Sequence, residues 1–239
     1  MKTKALGKDT SNLKLKGQKL LEKIRRKKSD IKHGIDIWNV YDFLYLNNNL
    51  PSLKILEIKI PSSTLFTIES KSMKLYLNGF YNQSFKSEQT VIQQIKNDLE
   101  GFLNAKIKLS IIKKFNQEPS SIDLNNYKSN KTKINKILKF NGFRSICPVT
   151  SQPDFANIYI YCDASINTIW LIDYLISFQN KGHFHEQCID DIFLEILNKY
   201  NCNHLEICGR FQRRGGIDIN PIRGTNTKIL FSNFREFNQ

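Results

Sequence analysis

Between residues 137 and 219 the spacing of apolar side chains switches twice, and that double switch restricts the fold more than any other feature of the chain. Ile137 to Ile146 and Phe155 to Cys162 read as strands, Thr168 to Gln179 and His185 to Tyr200 as helices, and Leu205 to Phe211 and Gly215 to Ile219 as strands again. The order is ββααββ. Two sequential hairpins with a helical pair between them predict an α+β fold, an antiparallel sheet with helices on one face.

The first half shows a weaker version of the same order. Asp36 is expected to cap a helix whose apolar positions are Ile37, Val40, Tyr41, Leu44 and Tyr45. Leu53 to Ile60 alternates as a strand, with Lys54, Leu56, Ile58 and Ile60 the more apolar face, and Leu65 to Ile68 follows a turn at Pro61-Ser62-Ser63. Ser87 precedes a helix over 88–103, where Val91, Ile92, Ile95, Leu99 and Leu103 form one apolar stripe. Ala105 to Lys113 alternates again. The polar stretch 116–131, with Pro119 and many Ser, Asn and Lys, reads as a linker. The expected organisation is a basic leader at 1–33, a module at 34–115, the linker at 116–131 and a second module at 132–239.

At 239 residues the chain can bury a real core, and 40% hydrophobic content supports a globular protein. No run of about 18 apolar residues exists, and the lysine-rich N-terminus lacks an apolar segment behind it, so the expectation is a cytoplasmic protein with no membrane span. Five cysteines without a CxxC pair argue against a disulfide framework or a zinc ribbon. The net charge of +14 invites a nucleic-acid reading, but residues 1–33 hold twelve Lys or Arg against three Asp or Glu, so nine of the excess charges sit in the leader. Lysine outnumbers arginine 28 to 8, whereas base and phosphate recognition favours the bidentate arginine fork. A solvated basic tail is the expectation, and direct nucleic-acid binding is not.

Four segments carry side chains suited to chemistry. In Arg144-Ser-Ile-Cys147-Pro-Val-Thr-Ser-Gln-Pro-Asp154, Pro148 and Pro153 hold the backbone extended or turning, so a thiol and a carboxyl are offered by one stiff segment. That pair suits attack by sulfur on an electrophilic carbon while an acid manages protons on the neighbouring atom, and a half-buried cysteine ahead of a turn is the plain alternative. Ile68-Glu69-Ser70-Lys71 joins a carboxylate, a hydroxyl and a lysine at the end of an apolar run. A glutamate there can accept from the paired N–H and NH₂ of a guanine-like edge, and the lysine suits a phosphate. His183-Phe-His185-Glu186-Gln-Cys188 opens a helix. Its spacing fits neither HExxH nor a deaminase site, leaving heterocycle recognition, metal binding or ordinary helix-start residues as readings. Arg213-Arg214-Gly215-Gly216 forms a turn where glycine lets a ligand approach and arginine can hold its phosphates.

Taken in order, these segments resemble the QueF-type, NADPH-dependent 7-cyano-7-deazaguanine reductases. The residues that carry the likeness are Glu69-Ser70-Lys71-Ser72-x-Lys74-Leu75-Tyr76-Leu77, Cys147 with Asp154, Phe184-His185-Glu186-Gln187-Cys188, and Arg213-Arg214-Gly215-Gly216-x-Asp218-Ile219-Asn220-Pro221. The resemblance implies two tandem tunnelling-fold (T-fold) modules in the long form of the family, a homodimer, and no metal. It implies Cys147 as the nucleophile that forms a thioimide with the nitrile and Asp154 as the proton donor. Ile68, Glu69, Ser70, His185 and Glu186 would contact the substrate, 7-cyano-7-deazaguanine, and Ser70, Lys71, Arg214 and Gly215 would contact NADPH, with Arg213 a neighbour. The product would be 7-aminomethyl-7-deazaguanine, on the route to queuosine in tRNA. The rival enzyme class is a GTP cyclohydrolase-like or nitrile-hydrolysing thiol enzyme on the same fold, which would need an activated water.

Overall fold

Strands and helices alternate along the chain in a computed structural model that describes residues 16–239. Residues 1–15 of the expected leader lie outside the described residues. The described residues form two compact units, one of 16–28, Ile37–Lys114 and Arg213–Asp218, the other of Ser29–Asp36, Phe115–Gln212 and Ile219–Gln239.

In the first unit the elements are β1 (Lys23–Arg25), β2 (His33–Asn47, from Ile37 on), β3 (Leu50–Pro61), β4 (Phe66–Ile68), α1 (Ser70–Asn78), β5 (Ser84–Phe85), α2 (Glu88–Leu103) and β6 (Lys108–Ile112). Strands β6, β3 and β2 lie side by side, β1 pairs with β4, and β5 runs parallel to β2. On β3 the more apolar set is the inward one, since Leu56, Ile58 and Ile60 are buried. Ser87 caps α2 through Thr90 N–H, and Val91, Ile95, Leu99 and Leu103 form its buried stripe.

The helix expected at 37–45 is a strand, β2. Residues 36–40 are all buried, so both faces carry core residues and the alternation that marks a half-buried strand is lost. The helical spacing of Ile37, Val40, Tyr41, Leu44 and Tyr45 is a coincidence of that continuous burial. Enrichment in Ile, Val, Trp, Tyr and Phe was the local sign of a strand. Asn48 and Asn49, both at positive φ, then turn the chain into β3.

The second unit contains β7 (Ile122–Asp123), β8 (Lys136–Ile146), β9 (Pro153–Cys162), α3 (Thr168–Ile176), α4 (His185–Lys199), β10 (Leu205–Phe211) and β11 (Ile217–Gly224, from Ile219 on). Their sheet order is β11-β10-β9-β8-β7. The pairs β8–β9, β9–β10 and β10–β11 are antiparallel, and only β7 joins in parallel. Strand β7 falls within 116–131, and Leu124 beside it is fully buried. Inward residues of β8, β9 and β10 share one apolar cluster with Leu171 and Leu175 of α3 and Ile189, Ile192, Phe193 and Ile196 of α4. Helix α4 approaches β10 closely at Gly209, where an added Cβ would stand 2.8 Å from the Ile189 side chain. The protein is therefore α+β with mainly antiparallel sheet, and no described helix is long and apolar enough to cross a membrane.

Candidate active site

The β8–β9 hairpin supplies the thiol and the acid. Strand β8 ends at Ile146, and the loop from Cys147 to Gln152 is closed by Cys147 N–H donating to Gln152 O at 2.9 Å and Ser151 N–H to Cys147 O at 2.9 Å. Ser151 takes a positive φ of 56° to complete the turn. The chain leading into α4 braces this loop, because Ile146 N–H donates to Lys181 O at 3.0 Å. Cys147 is partly exposed. Asp154 stands opposite Ser145 in the antiparallel register and is only 4% exposed.

Helix α4 brings the imidazole. His185 is its first residue, and its Nε2 lies 3.3 Å from Asp154 Oδ2. The ring stacks on Phe211 at the end of β10, with centroids 4.0 Å apart and planes at 11°. The imidazole is thus held on two sides, at Nε2 by the Asp154 carboxyl and across its face by an aromatic ring. Glu186, the next residue, is buried in the first turn, where the helix N-terminus favours a carboxylate. Farther along, Asp190 accepts from Arg223 Nε at 2.5 Å and Asp36 accepts from Arg223 Nη1 at 2.8 Å, which ties α4 to β11. His183 turns to Asp191 at 3.1 Å rather than toward His185. Cys188 is fully buried, and burial pushes its thiol up to about 12.

In the first unit Ile68, Glu69, Ser70 and Lys71 span the junction between β4 and α1. Glu69 is the N-cap of α1, 1% exposed, and accepts from Lys71 N–H at 2.9 Å and Ser72 N–H at 2.7 Å. Burial raises its pKa above the ordinary carboxylate value, against the lowering effect of those two amides. A carboxyl whose folded pKa is raised binds more protons folded than unfolded, so its contribution to stability falls as pH rises from the ordinary carboxylate value through the folded one. Melting curves across that interval should therefore show a steeper loss with rising pH in the native chain than in Glu69→Gln. Identical profiles would count against a raised Glu69.

Arg214 and Gly215 sit in a two-glycine turn closed by Arg214 N–H to Ile217 O and Ile217 N–H to Arg214 O. Gly215 has φ +58 and open space where a side chain would stand. Gly216 has φ +82, and a Cβ there would fall 2.4 Å from the Asp42 carboxylate. Asp42 also pairs with Lys74 of α1, so the turn and the helix that carries Ser70 and Lys71 meet at one carboxylate. Arg213 lies over the Tyr41 ring at 4.9 Å, and Tyr41 donates to Asp218 at 2.5 Å. The open backbone at Gly215, flanked by guanidinium groups, suits a phosphate-bearing ligand. Gly215→Ala should cost about 1–2 kcal/mol from left-handed backbone alone. Gly216→Ala should cost more, because Asp42 must also move, and equal melting temperatures for the two variants would contradict this.

Sequence reasoning missed Phe211, Asp42 and Tyr41. None carries a local signal, since each acts through a residue distant in the chain.

Two family models match the chain, one described as "Nitrile reductase, 7-cyano-7-deazaguanine-reductase N-term" over residues 15–111 and one as "QueF-like protein" over residues 153–229. The chain is 34% identical over 228 residues to the NADPH-dependent 7-cyano-7-deazaguanine reductase of Coxiella burnetii (strain RSA 493 / Nine Mile phase I), covering 87% of this chain and 82% of that protein. It is 36% identical over 223 residues to the protein of that name from Buchnera aphidicola subsp. Schizaphis graminum, covering 82% and 84%. With the one from Desulfotalea psychrophila it shares 36% over 219 residues, 82% of this chain and 79% of the relative. Matches of this length on both sides of the Cys147 loop make the chain a member of the NADPH-dependent 7-cyano-7-deazaguanine reductase family.

Proposed function

We propose that the chain reduces the nitrile of 7-cyano-7-deazaguanine to the aminomethyl group of 7-aminomethyl-7-deazaguanine, with NADPH as reductant, in the formation of queuosine in tRNA. The observation that carries this reading is a partly exposed thiol on a braced loop whose outgoing strand bears a buried aspartate, itself 3.3 Å from a stacked histidine. Cys147 releases its thiol proton to solvent as its sulfur bonds to the nitrile carbon, one π bond of the C≡N group opens, and the nitrogen takes a proton from Asp154, which becomes a carboxylate, to give a thioimide. His185 holds the Asp154 carboxyl in place and assists proton transfer. NADPH, when bound, supplies hydride, two equivalents per nitrile. Two protons are consumed with them, and the carbon–sulfur bond breaks to return the Cys147 thiol as the amine forms.

Glu186 accepts from the deazaguanine N–H edge, with His185 beside it. In the first unit Ile68, Glu69 and Ser70 are assigned to substrate, and Ser70, Lys71, Arg214 and Gly215 to the cofactor. Glu69 Oε1 accepts from both Lys71 N–H and the Ser70 hydroxyl, whereas Oε2 accepts from Ser72 N–H, so capping α1 and accepting from a ligand are compatible at Oε2, which has a second lone pair. The two units are read as tandem tunnelling-fold modules, and the working form as a cytoplasmic homodimer.

Intact-mass measurement after incubation with the cyano substrate, without NADPH, tests the covalent step. A gain of one substrate mass is expected, followed on NADPH addition by oxidation of two NADPH per nitrile. Substrate bound to a chain of unchanged mass would overturn the thioimide.

A further inference from the structure

Cys162, Asp163 and Cys202 form a cluster of donors that the reduction does not use. Cys162 is the last residue of β9 and is buried, whereas Cys202 and Asp163 are half-buried and reach solvent. The two sulfurs are 3.0 Å apart, and both lie within 4.8 Å of an Asp163 carboxylate oxygen. Backbone contacts fix the arrangement. Asn203 N–H donates to Asp163 Oδ1 at 3.1 Å, Asp163 N–H to His204 O at 3.0 Å, and Ala164 N–H to Cys162 Sγ at 3.3 Å.

We propose that Cys162, Asp163 and Cys202 bind a thiophilic divalent cation of the Zn²⁺ or Cd²⁺ class, at a site separate from Cys147. Two thiolates and a carboxylate are a donor set that such d¹⁰ ions favour, with water in the fourth position. Sulfur–zinc bonds of about 2.3 Å at a tetrahedral angle separate two sulfurs by about 3.8 Å. The Cys202 segment, between α4 and β10, has to move by less than about 1 Å to meet that geometry. Each thiol releases its proton to solvent as its sulfur–metal bond forms, and nothing is oxidised or reduced. Strand β9 begins at Pro153, beside Asp154, and ends at Cys162, while α4 begins at His185 and ends just before Cys202. The ion therefore ties together the far ends of two elements that carry Asp154 and His185, more than about 20 Å along each from those residues. It stabilises their packing without touching the reacting atoms.

The test uses the full chain with Cys147→Ala, so that the loop thiol does not compete, kept reduced with a phosphine and titrated with Cd²⁺. Thiolate-to-metal charge-transfer absorbance in the ultraviolet should saturate at one equivalent, with a rise in melting temperature. Adding Cys202→Ser should weaken binding by at least about 100-fold, and adding Asp163→Asn by at least about 10-fold. Metal-free melting curves establish that each variant is folded, and if Cys202→Ser is not, Asp163→Asn decides. No saturable absorbance, or unchanged affinity in a folded variant, overturns the proposal. So does loss of two hydrogen masses on air exposure without metal uptake, which would make the pair a disulfide.

Discussion

Cys147→Ala should retain its fold and its substrate while losing both the covalent adduct and turnover, the latter by about 10⁴-fold or more, the scale on which a nucleophile's removal is felt. The size of the effect follows from the lack of a substitute. Cys188 and Cys208 are fully buried, and desolvation pushes each thiol up to about 12. At pH 7 a thiol of that pKa is thiolate in only about one molecule in 10⁵. Cys202 is likewise pushed up to about 12, and Cys162 is raised by burial. Cys147 is in a loop held by its own backbone bonds, so truncating its side chain removes no core packing. Intact mass, NADPH consumption and a melting curve measured on the same preparation separate chemistry from folding. Adduct formation in Cys147→Ala would move the nucleophile elsewhere.

Asp154→Asn should bind the substrate within a few-fold of the native chain and lose turnover by at least about 10²-fold, the usual worth of a positioned acid. The amide has the carboxyl's shape and can still meet His185 Nε2, so the β8–β9 hairpin and the His185–Phe211 stack survive. What it lacks is an acidic proton for the developing nitrogen anion. Slow adduct formation, read by mass against time, should accompany the slow turnover. Near-native turnover would remove Asp154 from the proton transfer and shift attention to His185.

The further site makes an opposite demand. Cys202→Ser changes metal uptake and should leave nitrile reduction near its native rate, since Cys202 lies beyond the far end of α4 from His185.

Local chemistry made much of this protein legible. Period and turn residues located β3, α2, β8, β9, α3, α4 and β10 to within a few residues, because apolar side chains mark one face of each in the sequence, even in β10, where the other face, with Glu206 and Arg210, is buried as well. The same logic failed at β2, whose consecutive buried residues carry no alternation, and at β7, a two-residue strand within a polar stretch. Candidate chemistry was visible wherever reactive residues cluster along the chain, as at Glu69 to Lys71, Cys147 to Asp154, and His185 and Glu186.

Whatever depends on residues far apart in the chain was not visible. That Glu69 caps α1 with both oxygens, that Phe211 seats the His185 ring, that Asp42 joins Lys74 beneath Gly216, and that Cys162 meets Cys202 across 40 residues are outcomes of strand pairing and helix packing. Sequence fixes which groups are available and what each can do near its neighbours. Only the folded chain decides which of them meet, because hydrophobic burial sets the register of sheets and the seating of helices without regard to the polar groups carried along.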